Sequence, residues 1–249
     1  MKPVYKGTYA FKTDIGKVRV SNEDQAYVQL NSDGEVFLIV CDGMGGQNKG
    51  DYASKMAIDS MLDSFAHKNS HVPSFLRKTW ITQAVKKANG IIFDEADKNS
   101  VYKDMGTTLV AAWIVKDKLV LANVGDSRCY ALKNDTLVRL SEDQTYVDFL
   151  YRTGKISESQ TLSHPERHVL MNALGIYPSA SVDVKVIPYH GEPILLCSDG
   201  LYNNVAENEI RSLISTDERA DQKALSLINE ANNNGGSDNI AVAYWEPLK

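Results

Sequence analysis

The chain has 249 residues, with 27 basic and 32 acidic side chains and a formal charge of −5. Apolar residues make up 43% and charged residues 24%, the balance of an ordinary globular protein, and no basic stripe suggests a grip on nucleic acid. The longest apolar run, Leu109 to Val115, is too short to span a membrane. The start, Met1-Lys2-Pro3-Val4-Tyr5-Lys6, lacks the apolar core of a signal peptide. The expectation is a cytoplasmic protein with neither nucleic acid nor membrane as partner. Cys41, Cys129 and Cys197 form no CxxC and sit in or beside apolar runs, so reduced, buried thiols are expected. No linker, repeat or low-complexity stretch divides residues 1–249, which read as one domain.

The opening reads as β, with Arg19 on a strand-like run from Lys17 to Val20. Gln25 to Leu30 and Glu35 to Cys41 flank an Asp33-Gly34 turn and predict a hairpin. Its second run is apolar without alternation, so both faces should be covered. After Gly50, Ala53, Met56, Ala57, Met61, Leu62 and Phe65 fall at helical spacing. A second helix is expected from near Pro73-Ser74 to Ala96. A meander follows: Gly106 to Val115, a Lys116-Asp117-Lys118 turn, Leu119 to Val124, then Arg128 to Leu132. Thr145 to Gly175 reads as short helix and loop. Val182, Val184 and Val186 alternate with polar residues, as in a strand half exposed to water. Ile194 to Cys197 is another strand. Helices near Glu207 to Ile214 and Arg219 to Ala231 precede a last strand, Ile240 to Trp245. Strands in runs with helices in pairs between them argue for an α+β layered domain.

Several chemistries are excluded. Gly43-Met44-Gly45-Gly46 fails the dinucleotide fingerprint because Asn48 replaces its third glycine, and GxxxxGK[ST] is absent. No cysteine is followed six residues later by arginine. His164 and His168 enclose Pro165 and no HExxH glutamate. No GxSxG elbow supports a serine nucleophile.

What the sequence does contain is aspartates beside strands. Asp42 follows Val40-Cys41, and Asp199 follows Cys197-Ser198. Asp126 follows Val124-Gly125, Asp238 precedes the last strand, and Glu23-Asp24 precedes another. Each alone is ordinary turn chemistry. If the strands form one sandwich, the set can converge at one end. Clustered carboxylates repel one another unless divalent cations join them, and oxygen ligands without Cys or His select magnesium or manganese. Arg19 beside such a cluster could hold a phosphate bidentately, or could form a surface ion pair.

Thr13-Asp14-Ile15-Gly16-x-x-Arg19-x-x-Asn22-Glu23-Asp24 resembles the opening motif of the PPM (type 2C) protein phosphatases. So do Val40-Cys41-Asp42-Gly43-Met44-Gly45-Gly46, Gly106-Thr107-Thr108, Val124-Gly125-Asp126-Ser127-Arg128, Ser198-Asp199-Gly200 and Gly236-Ser237-Asp238-Asn239. They occur in the family's order from residue 8 to residue 245, and Met44 and the compact length resemble the bacterial branch. The resemblance implies a central antiparallel β-sandwich flanked by helix pairs, with metals at one end and a flap near residues 145–175. It implies a serine/threonine phosphatase using two Mn²⁺ or Mg²⁺ ions, whose shared water attacks phosphorus without a phospho-enzyme. Asp42 would bridge both ions and the Gly43 carbonyl would bind one. Asp199 and Asp238 would bind the other, and Asp24, with Glu23, would hold metal-bound waters. Asp126 would serve a third, weaker site, and Arg19 would bind the substrate phosphate. Substrates would be phosphoproteins, and the opposing enzyme a eukaryotic-like serine/threonine kinase. Three departures stand out. Met44 replaces a histidine general acid of many eukaryotic members. Asp143-Gln144-Thr145 replaces Asp-His-Ser, and His168 stands where bacterial relatives tend to carry asparagine; these two bear on substrate preference. Two alternatives stay open: an inactive phosphatase-like binding module, and a small-molecule phosphoesterase.

Overall fold

The computed structural model describes residues 5–45, 49–68 and 72–248. Gly46 and Asn48 of the glycine loop, and the first four residues read for a leader, lie outside the described residues. In chain order the first strands are β1 (Gly7–Asp14), β2 (Asp24–Leu30), β3 (Val36–Met44), β4 (Gly106–Thr107), β5 (Leu109–Val115) and β6 (Lys118–Val124). The later ones are β7 (Arg128–Lys133), β8 (Thr136–Arg139), β9 (Asp183–Pro188), β10 (Ile194–Cys197) and β11 (Ile240–Pro247). They build two sheets, β1-β11-β10-β7-β8 and β2-β3-β5-β6-β9, with β4 paired to the end of β3. The pairings within both sheets are antiparallel.

The unbroken apolar run of β3 follows from its place in the layers. Phe37, Ile39 and Cys41 face helices α1 (Lys49–Ala66) and α2 (Arg77–Lys98), packing with Ala57, Met61, Phe65, Ile81 and Val85. Val36, Leu38 and Val40 point the other way, into the space between the sheets. β5 divides in the same manner, because side chains alternate along a strand. On the far side, Leu195, Cys197, Val242 and Tyr244 pack against helices α6 (Glu207–Ile214) and α7 (Ala220–Asn233). The result is helix–sheet–sheet–helix, the expected α+β sandwich. Each fully buried aliphatic or aromatic side chain in these layers contributes about 1.5–3 kcal/mol. A buried lysine ties each helical layer to its sheet: Lys68 to Glu35 at 2.7 Å and Lys223 to Glu246 at 2.7 Å. All three cysteines are free and buried, as expected.

Some expectations need correction. Lys17 to Val20 is not a strand; β1 ends at Asp14 and Arg19 lies in the turn that follows. Gly16 explains the turn: its φ is +79°, and it lies against the loop before β11. The run from Gly106 to Val115 breaks at Thr108 into β4 and β5. β8 has no clear apolar pattern to announce it; it is only four residues long and lies on a sheet edge. In β9, Val184 is buried but Val186 is exposed, because this strand is also an edge. The flap segment carries two short helices, α3 (Tyr146–Arg152) and α4 (Glu158–Ser163). Within the segment, Tyr146 N donates to Val169 O at 2.8 Å and Met171 N to Gln144 O at 2.9 Å.

Candidate active site

One end of the sandwich gathers the carboxylates. The β2–β3 register sets Asp24 opposite Asp42. The break at Thr108 serves Asp42: its hydroxyl accepts from Asp42 N (3.0 Å) and its N–H donates to Asp42 O (2.8 Å). Thr107 Oγ1 also donates to Asp42 O, at 2.9 Å. At Gly43 a Cβ would lie 2.1 Å from Gly50 O, so only glycine lets α1 begin this close to β3. Glu23 lies over the same junction, its carboxyl against Gly50.

The other sheet supplies the second half. Asp199 opens the short helix α5 (Asp199–Tyr202), directly after β10. At Gly200 a Cβ would come within 1.9 Å of Asn239 O, which presses α5 against the loop carrying Asp238. Ser198 stitches the halves together: its hydroxyl donates to Asp24 Oδ2 (2.6 Å) and accepts from Ala241 N (2.8 Å). Asn239 does the same for the Arg19 loop. Its Oδ1 accepts from Glu23 N (2.9 Å), and its Nδ2 donates to Ile15 O and Ser21 O (both 2.9 Å). Arg19 Nη2 then reaches Asp238 Oδ2 at 2.7 Å.

Electrostatics register the crowding. Burial, then the charges of Asp24, Asp199, Asp126 and Asp238, push Asp42 well above the ordinary carboxylate range. Asp24 rises to about 8, through burial against the help of Ser198 and with Asp199 and Asp238 adding to the rise. Asp199 rises to about 6, through burial and then Asp238. Asp126 rises to about 8, through burial and then Asp199 and Asp143. Glu23 is raised by burial as well, and its Oε1 is buried without a hydrogen-bond partner. Partial burial opposes the charge on Arg19, but Asp238, Asp42 and Asp199 outweigh it and raise its pKa. Among the described residues no three acidic, histidine or cysteine side chains stand open as a ready metal cage. The carboxyls act on one another instead, Asp24, Asp199, Asp126 and Asp238 all opposing the ionisation of Asp42.

Asp126 lies at the edge of this group, on the β6–β7 loop. Arg128 does not pair with it but is held by Asp143, with Nη2–Oδ2 at 2.7 Å. Gln144 fastens the same loop: its Oε1 accepts from Gly125 N (3.0 Å) and its Nε2 donates to Asn123 O (3.3 Å). His168 faces the cluster from the flap, Nδ1 3.9 Å from Asp199 Oδ2, with its pKa lowered by burial and by Arg167.

The structure thus brings together Arg19, Glu23, Asp24, Asp42, Gly43, Asp126, Asp199 and Asp238. Sequence reasoning gave no role to Thr108, Ser198 or Asn239. Each sits inside one of the motifs, Gly-Thr-Thr, Ser-Asp-Gly or Gly-Ser-Asp-Asn, and that adjacency was the available signal.

The two-sheet sandwich, the acidic cluster at one end and the arginine at its mouth together bound the field of relatives. Comparison with known proteins narrows it. The family model for protein phosphatase 2C matches residues 17–230. The serine/threonine phosphatase stp of Listeria welshimeri is 40% identical over 237 residues, 95% of this chain and 94% of that one. Protein phosphatase PhpP of Streptococcus pneumoniae is 30% identical over 232 residues, 93% of this chain and 94% of that one. The solved structure of serine/threonine phosphatase Stp1 from Staphylococcus aureus superposes with a TM-score of 0.91 at 29% identity, covering 100% of this chain and 98% of that one. The catalytic domain of the phosphatase PstP, solved in complex with 2 manganese ions, gives 0.81 at 28% identity, covering 98% and 99%. The chain belongs to the protein phosphatase 2C family, and the activity that goes with that membership is that of a serine/threonine protein phosphatase.

Proposed function

We propose that this enzyme hydrolyses phosphoserine and phosphothreonine in proteins with a water activated between two Mn²⁺ or Mg²⁺ ions. In this reading Asp42 would serve both ions, the Gly43 carbonyl one of them, and Asp199 and Asp238 the other. Asp24 and Glu23 orient water, and Asp126 serves a third, weaker ion. The observation that carries it is the mutual pressure of clustered carboxyls, with Asp24, Asp42, Asp126 and Asp199 all raised and, among the described residues, no lysine paired with them. That donor set, with the orphaned Glu23 Oε1, suits a hard cation that takes oxygen ligands. Bound there, the ions would lower the pKa of a water nucleophile and offset charge on the phosphoryl group.

The chain's own groups do the remaining work. Arg19 is half-exposed at the mouth and bound to Asp238 by one nitrogen, so it is free to turn its fork onto an arriving phosphate. Thr107 and Thr108 fix the Asp42 backbone, and Ser198 fixes Asp24, so the carboxyls need no reordering during turnover. Met44, at the end of β3, cannot donate a proton to the leaving oxygen.

The whole of residues 1–249 serves as one catalytic domain in this reading. Its setting is the cytoplasm, which its three free thiols suit, and its opponent is a eukaryotic-like serine/threonine kinase. Among the described residues no helix is long and apolar enough to cross a membrane. Hydrolysis of a phosphothreonine peptide with Mn²⁺, with Mg²⁺ and with chelator tests the chemistry, and full turnover after exhaustive EDTA treatment would overturn it. Running sugar phosphates beside the peptide separates a protein phosphatase from a small-molecule phosphoesterase.

A further inference from the structure

The Asp126 loop is fastened mainly from its own side of the molecule. Gln144 and Asn123 bond the Gly125 peptide, and Thr108 packs against Gly125, whose φ is +95°. One further bond comes from elsewhere. Tyr202 OH donates to Asp126 O at 3.1 Å. Tyr202 is the last residue of α5, three positions after Asp199, so a single helical turn carries both. Its ring lies beneath the Arg128 guanidinium, 3.5 Å from carbon to ring centroid. Asp143 grips that guanidinium through Nε and Nη2 at 3.1 and 2.7 Å. Arg128 Nη1 also bonds Tyr130 OH, which donates to Glu207 at the start of α6. The ring is therefore clamped and the hydroxyl is aimed.

We propose that Tyr202 is a positioning residue: its hydroxyl sets how far the Asp126 loop stands from Asp199, and so whether Asp126 can share an ion with the rest of the cluster. The β7–β10 ladder ends with Arg128 opposite Cys197, and Asp126 and Asp199 each lie two residues beyond that last pair, past the reach of the strand register. Through Tyr202, any shift of α5 carries the Asp126 backbone with it. Arg128 and Asp143 hold the ring, and the hydrogen bond ties the Asp126 backbone to α5 beyond that last pair. The proposal rests on the reading of this cluster as a divalent-cation site.

Tyr202→Phe deletes the hydroxyl and keeps the ring beneath Arg128, so the fold is retained. Tyr202→Ala removes the ring as well. Full-length protein is titrated calorimetrically with Mn²⁺, melted by circular dichroism, and assayed on a phosphothreonine peptide. The loss of one neutral hydrogen bond corresponds to roughly two- to tenfold. Tyr202→Phe should bind the tight ions as the parent does and melt with it. It should weaken the last, loosest Mn²⁺ step and lower kcat by that factor, with KM unchanged. Tyr202→Ala should in addition melt earlier. A Tyr202→Phe protein that matches the parent in every Mn²⁺ step and in kcat overturns the proposal. So does one that melts earlier while its kcat is normal, since that is mere packing. The two readings fail separately. A parent that binds Mn²⁺ but cleaves no phosphopeptide, with its loosest step still weakened in Tyr202→Phe, overturns the function and keeps the tether.

Discussion

Asp42 is enclosed by other carboxyls, whereas Asp238 meets Arg19, and substitution should distinguish them. Asp42→Asn and Asp238→Asn should both abolish turnover while the protein stays folded, because in the proposed reading each would lose an ion ligand. Asp42→Asn should also melt higher than the parent in EDTA near neutral pH, since folding no longer has to hold a proton on a carboxyl whose ionisation burial and four neighbouring aspartates oppose. Retention of more than a tenth of parental activity at saturating Mn²⁺, a loss of less than about 1.4 kcal/mol, would remove either residue from the ligand set. Arg19→Ala should lower kcat/KM about ten- to a hundredfold, because a charged hydrogen bond contributes ~1.5–3 kcal/mol. Its Mn²⁺ affinity should hold or tighten, because Asp238 is released from its ion pair. Unchanged kinetics in a folded Arg19→Ala would leave this arginine a simple surface pair.

At the scale of elements, glycines decide how closely the parts of the site meet. Gly200→Ala places a methyl group 1.9 Å from Asn239 O, a backbone atom with little freedom to yield. α5 must then lift from the loop before β11, separating Asp199 from Asp238. The expected result is a melting temperature several degrees lower and a fall in kcat larger than the stability loss accounts for. Gly90 is the contrasting case. It sits inside α2, where a methyl group would meet nothing within 4 Å. Gly90→Ala should therefore stabilise by about 0.5–1 kcal/mol through lower chain entropy, read from the urea midpoint with activity unaltered.

For the whole molecule the raised carboxyls become a dependence of stability on pH. Asp199 near 6, and Asp24 and Asp126 near 8, lie above the ordinary carboxylate value near 4. The folded state therefore binds more protons than the unfolded state between those limits, and stability falls as pH rises. The contribution is complete below about pH 4, is lost progressively as pH rises from there, and is gone above about 6 for Asp199 and about 8 for Asp24 and Asp126. In EDTA the melting temperature should decline across that range. With Mn²⁺ in hundredfold excess over its dissociation constant the decline should be offset by about 2.7 kcal/mol. Binding should also release protons, visible as a buffer-dependent heat in calorimetry. A metal-free melting temperature that stays flat from pH 5 to 9 would mean that these carboxyls do not carry their burden as charges.

Read as a sequence, the chain determined its strands, its helix pairs and the identity of its acidic residues. Those features repeat over a few positions: the apolar run of β3, the three-and-four spacing of α1, an aspartate beside a strand. Local patterns could not set the path of residues 15–21, where Arg19 sits in a turn and not on a strand. That turn is held by Gly236, Asp238 and Asn239, more than 200 residues away. The supporting roles of Ser198, Thr108 and Tyr202 were equally hidden. Their hydroxyls act between segments far apart in the chain, and the register of the two sheets exists only once both are packed. Composition and periodicity thus specify which carboxyls are present, and tertiary packing brings them close enough to oppose one another's charge.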